Sequence, residues 1–126
     1  MIGKRISLVL LVLGVLAGCQ STPSQQSQLQ DDVASMEKVK NYDGLISHYK
    51  SMLEQGSQDP QVKEKLASAY FHKGDIESAN FYVQHLQKEG VETPSLYQLA
   101  GQVFDAKNDT TSAISAYLSS IKSGNS

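Results

Sequence analysis

The chain has one cysteine, Cys19, and no tryptophan, so no disulfide closes within a single copy. Arginine stops at Arg5. From residue 19 onward nine lysines stand against thirteen carboxylates, an excess of four negative charges. A chain without arginine lacks bidentate phosphate donors, and without a basic stripe it excludes nucleic acid and anionic lipid headgroups as ligands. No Gly-rich phosphate loop, no GxSxG elbow and no HExxH pair is present, which argues against an enzyme and against a small-molecule substrate. A membrane-length apolar run is missing too. The longest, ISLVLLVLGVLAG at 6–18, covers at about 1.5 Å per residue only some 20 Å of a roughly 30 Å hydrocarbon core. With 126 residues there is room for one small domain and little more.

Residues 1–18 have the order of an export signal: Lys4 and Arg5, the apolar run, then small residues. The stretch Leu16-Ala17-Gly18-Cys19 resembles the bacterial lipobox. That resemblance implies a diacylglyceryl group on the Cys19 thiol, cleavage before Cys19 and an added acyl chain, with no other cofactor. A free thiol is a liability in an oxidising space, whereas two or three acyl chains, at about 0.8 kcal/mol per buried methylene, hold a domain firmly at a membrane. A plain secretory signal cut nearby is the alternative. In Gram-negative lipoproteins an Asp after the lipidated Cys retains the protein in the inner membrane, and here Gln20 and Ser21 follow. The implied location is the outer membrane, with the domain facing the periplasm. Residues 19–28 are Ser-, Thr-, Pro- and Gln-rich and read as a flexible tether.

Self-similarity dominates the rest of the chain. Residues 60–93 align without a gap on residues 94–124, with Pro60 on Pro94, Leu66 on Ala100, Tyr70 on Phe104, Gly74 on Asn108, Asp75 on Asp109, Ala79 on Ala113 and Val83 on Tyr117. The period is 34 residues. Gly74 and Asn108 are the residue types that take the left-handed conformation ending a helix, and Asp75 and Asp109 are suited to cap the next one. Between these marks the apolar spacing is helical: Leu66, Ala69, Tyr70, Ala79, Val83 and Leu86, then Leu99, Val103, Ile114, Tyr117, Leu118 and Ile121. Each unit is therefore expected to be a helical hairpin.

A degenerate third unit precedes these at about 26–59, with Asn41 at the capping place, Tyr49 in register with Val83, and Lys40 where Gly74 stands. Its first helix carries Leu29, Val33, Met36 and Val39 on one face. The order of small residue, aromatic, Gly-Asp turn, alanine and aromatic resembles the tetratricopeptide repeat (TPR) family. The expected fold is all-α, a short TPR-type α-solenoid of about three hairpins over 29–122, with 123–126 a loose tail. The last helix is expected to close the stack, its stripe of Ser112, Ser115, Ser119 and Lys122 facing solvent opposite Ile114, Tyr117, Leu118 and Ile121.

The resemblance also implies a concave, partner-binding face on the first helix of each hairpin: Gln30, Ala34, Glu37 and Lys38, then Glu64, Ser68, Phe71 and His72, then Gln98, Gln102 and Asp105. Phe71 is its one aromatic anchor, unless it packs against a neighbouring helix pair. Glu64 and Gln98 stand where relatives that clamp an acidic peptide tail place lysine. His48, His72 and His85 share no one-turn spacing, so a metal is not expected. Anchor and repeats together are similar to the TPR lipoproteins of pilus and secretion machines, among them the Tad/Flp pilus lipoproteins and type IV pilotins. The implied partner is another envelope protein, a secretin or a pilus assembly subunit. The alternatives are an adaptor for peptidoglycan or envelope enzymes, or a self-assembling structural lipoprotein.

Overall fold

Residues 23–125 are described in the computed structural model. Among them are six helices and no strand: α1 (Pro23–Lys38), α2 (Tyr42–Glu54), α3 (Pro60–Lys73), α4 (Ile76–Lys88), α5 (Pro94–Ala106) and α6 (Thr110–Gly124). The fold is all-α. The chain divides into a unit ending at Ser35 and a unit starting at Met36. Cys19 and the export signal lie outside the described residues. In the first unit, α1 starts at Pro23, so residues 23–28, expected to belong to the tether, are helical. Proline suits a first helical turn, and glutamine, for all its polarity, is a good helix former.

In the second unit the period of the sequence becomes a period of the backbone. At each α–α turn the N–H of the left-handed residue bonds the carbonyl three back, and the next N–H bonds the carbonyl five back. Lys40 donates to Glu37 O and Asn41 to Met36 O; Gly74 to Phe71 O and Asp75 to Tyr70 O; Asn108 to Asp105 O and Asp109 to Phe104 O. All three left-handed residues have positive φ: 56° at Lys40, 94° at Gly74 and 62° at Asn108. The turns between hairpins repeat as well, with Ser57 N bonded to Met52 O and Val91 N to Leu86 O.

Side-chain caps start the helices as the residue types suggest. Asn41, Asp75 and Asp109 accept the N–H of the residue three ahead, at 3.0–3.1 Å, and Asp59 and Thr93 cap α3 and α5, each just before a proline. Each such bond removes an orphan donor from a helix end.

Within the second unit α3 packs on α2 and α4, α5 on α4 and α6, and α3 also meets α5. The fully buried side chains Leu66, Val83, Leu86, Leu96 and Val103 form the centre. The small residues sit where helices close up: Ala67, Ala79 and Ala100 are completely covered, and a methyl group on Gly101 would overlap the Tyr117 ring. Lys63 reaches Glu89 at 2.6 Å and ties α3 to the end of α4. Lys107 pairs with Glu77 at 2.6 Å and Lys73 with Asp43 at 2.5 Å, so the steps from α2 to α3, α3 to α4 and α4 to α5 each carry an ion pair.

The ends of the chain depart from expectation. α6 runs on to Gly124, with Ser123 Oγ donating to Ser119 O at 2.9 Å, so 123–124 extend the helix where a loose tail was expected. Its buried face is Ala113 and Ala116, with Tyr117 laid over Gly101 and Ser120 Oγ bonded to Pro94 O at 2.8 Å. Ile114, Leu118 and Ile121 point to solvent. Of the expected closing arrangement, Ser115 and Lys122 face solvent and Tyr117 packs inward, whereas Ile114, Leu118 and Ile121 do not: the close approach of α5 admits alanine, not branched side chains, and so turns the large apolar residues outward. Leu29 on α1 and Val39 just beyond its end are likewise exposed.

Candidate functional site

The second unit carries a groove made by two adjoining cavities. One, of about 250 Å³, lies between α3 and α5, with Glu64, Lys65 and Ser68 on one wall and Ser95, Gln98, Leu99 and Gln102 on the other. The second, of about 280 Å³, lies between α2 and α3, with Tyr42, Leu45 and Tyr49 facing Ala69 and His72, and Glu37 at its edge. Lys65 and Ser68 line both cavities, which makes the groove continuous across α3.

Helical spacing explains the α3 wall. Residues 64, 65, 68 and 72 recur at three- and four-residue steps, so one face of α3 runs along the groove while Leu66 and Ala67 turn to the core. His72 stacks on Tyr42, ring centroids 5.6 Å apart and planes 19° apart. Tyr49 is 5% exposed, and its hydroxyl has no hydrogen-bond partner. Burial raises its pKa, with the Glu37 charge adding to the effect, so at neutral pH it is a neutral donor. Lys65 makes no ion pair among the described residues, and Glu64 accepts a long bond from Thr93 Oγ1 at 3.4 Å. The groove thus offers cationic, anionic and aromatic contacts together.

Of the side chains read from sequence as partner-binding, Glu64, Ser68, His72, Gln98 and Gln102 line this groove, as does Glu37. Phe71 and Asp105 do not. Phe71 is half-buried against the core cluster, edge-on to His72, and Asp105 is exposed beyond the cavities. Lys38 is exposed and lines neither cavity; Gln30 and Ala34 are exposed residues of the first unit. Sequence reading passed over Tyr42, Leu45, Tyr49, Lys65, Ser95 and Leu99. Lys65 had a legible signal, since it stands one turn before Ser68 and Ala69 on the polar side of α3. Tyr42 and Tyr49 had none: they belong to a second helix of a hairpin and become groove residues only because α3 leaves them room.

The histidines are dispersed. His48 lies edge-on to Tyr49, His85 stacks on Phe81 with Nε2 3.4 Å from Glu89, and only His72 reaches the groove. Among the described residues no three His, Cys, Asp or Glu side chains gather as a metal site requires, and no helix is long and apolar enough to cross a membrane. Compared with family models, with curated proteins and with solved structures, the chain matches none.

Proposed function

We propose that the chain is a lipid-anchored, TPR-type interaction protein of about three hairpins, which holds a segment of another envelope protein in the α2–α3–α5 groove. The observation that carries this reading is the groove itself: five of the seven partner-binding residues read from the two well-formed hairpins line one continuous surface. The 34-residue recurrence of the turns supports the solenoid reading. A surface with few apolar anchors but with Lys65, Glu64, Glu37 and the Tyr42–His72 stack suits an extended polar segment better than an amphipathic helix. The role is binding, not catalysis. Cys19 carries the lipid, the domain faces the periplasm at the outer membrane, and the anchor concentrates it toward a partner of a pilus or secretion machine in the same thin layer.

Two variants in the intact chain test this. Ser68→Arg fills the junction of the two cavities and is expected to lose the crosslinked envelope partner, whereas Phe71→Ala, outside the groove, keeps it. Retention in Ser68→Arg, with loss in Phe71→Ala, refutes the groove as the site. Recovery of a secretin or pilus subunit supports an assembly role; recovery of cell-wall enzymes moves the reading to an adaptor. Cys19→Ser is expected to abolish acyl labelling, and continued labelling would exclude the anchor.

A further inference from the structure

The last helix exposes what the other helices of the second unit cover. In α2 and α4 the register shared with Ile114 holds Ile46, buried at 8% exposure, and Asn80, whose side-chain oxygen is shielded from solvent. Each of those helices is followed by another packed on it. On α6 the same register holds an isoleucine, and Ile114, Leu118 and Ile121 are 55%, 62% and 61% exposed. Stacking alone does not explain Leu118. Its counterparts, Lys50 and Gln84, are exposed and polar, so α6 extends an apolar stripe past the positions that a further hairpin would cover.

The surroundings of the stripe specify its occupant. From Thr110 to Ile121 no side chain is charged, and the polar positions are serine and threonine. Charge depletion at a solvent-facing apolar centre is the composition of an interface core, and the one charged side chain of α6, Lys122, stands in its last turn, so that an antiparallel pair keeps the two lysines at opposite ends. The four- and three-residue steps from Ile114 to Leu118 to Ile121 form a short seam of the kind that packs helix on helix. The seam is also nearly symmetric about its middle residue. An antiparallel pair crossing at Leu118 sets Leu118 against Leu118 of the second copy and each Ile114 beside the other copy's Ile121, and it opposes the two helix dipoles.

We propose that α6 is a self-association surface, through which two copies of this chain pair antiparallel about Leu118. Three large side chains per copy make a small interface, so the pair is weak and concentration-dependent. The groove lies on α2, α3 and α5 and stays open in the dimer's subunits.

The test uses the intact chain in detergent micelles. Leu118→Cys is expected to give, on mild oxidation, a dimer whose crosslinked peptide joins residue 118 to residue 118, while Phe81→Cys, equally exposed on α4, gives no 81–81 link. Sedimentation of the unmodified chain is expected to show a monomer–dimer equilibrium, weakened at least about tenfold by Ile114→Lys with Leu118→Lys. Circular dichroism shows whether that variant keeps its helices; the cysteine crosslink does not depend on it. A monomer at every concentration, an 81–81 link as abundant as 118–118, or a dimer that survives both lysines in a folded chain would each overturn the proposal.

Discussion

At the scale of single residues, the fold depends on where side chains are small. Gly101 faces the Tyr117 ring with no room for a methyl group. Gly101→Ala is expected to destabilise the second unit by about 1–3 kcal/mol, the range for overpacking, measured by urea denaturation. Leu86 is fully buried at the junction of α3, α4 and α5, and Leu86→Ala is expected to cost about 2–5 kcal/mol in the same assay. The capping carboxylates set the acid limit. Hydrogen bonds from Ser78 hold Asp75 below its ordinary pKa, Ser112 does the same for Asp109, and Lys63 lowers Glu89. A carboxylate whose pKa is lower in the folded state stabilises the fold above its unfolded value, near 4, and loses that contribution as pH falls through the folded value. Thermal stability is therefore expected to fall below about pH 4, and Asp75→Asn with Asp109→Asn to flatten that fall.

At the scale of elements, one backbone motif serves three turns with three different residues. Glycine occupies the left-handed position without strain at Gly74, and Asn108 tolerates it; Lys40 carries a Cβ at φ 56°. Lys40→Gly is expected to stabilise the α1–α2 turn by about 1 kcal/mol, read as a shift in the urea midpoint at unchanged slope. The 34-residue period was legible because turns and caps need particular residue types at fixed places: Asp75 and Asp109 could be assigned as caps, and they are. The extent of α1 was not legible, because Ser and Gln are as common in tethers as on solvated helices. The face of α6 was misread for a related reason. Periodicity shows which residues share a stripe, but two stripes were present, and only the close approach of α5 chose the alanines.

At the scale of the whole molecule, burial is concentrated in the second unit on α3, α4 and α5 and thins toward the first helix. Amide exchange is accordingly expected to be slowest for residues 96–103 and near Leu86, and fastest in α1, where side chains are largely exposed. Uniform protection across all six helices would contradict that gradient. By itself the sequence determined the all-α class, the period, the turns, the caps and most of the α3 and α5 positions that line the groove, because each follows from local chemistry repeated at a fixed interval. Only the tertiary structure decided that Phe71 packs inward, that Tyr42, Tyr49 and Lys65 enter the groove, and that Ile114, Leu118 and Ile121 remain outside. Those outcomes depend on how closely neighbouring helices approach, and the spacing between helices is set by the side chains of both partners, not by the pattern of either one.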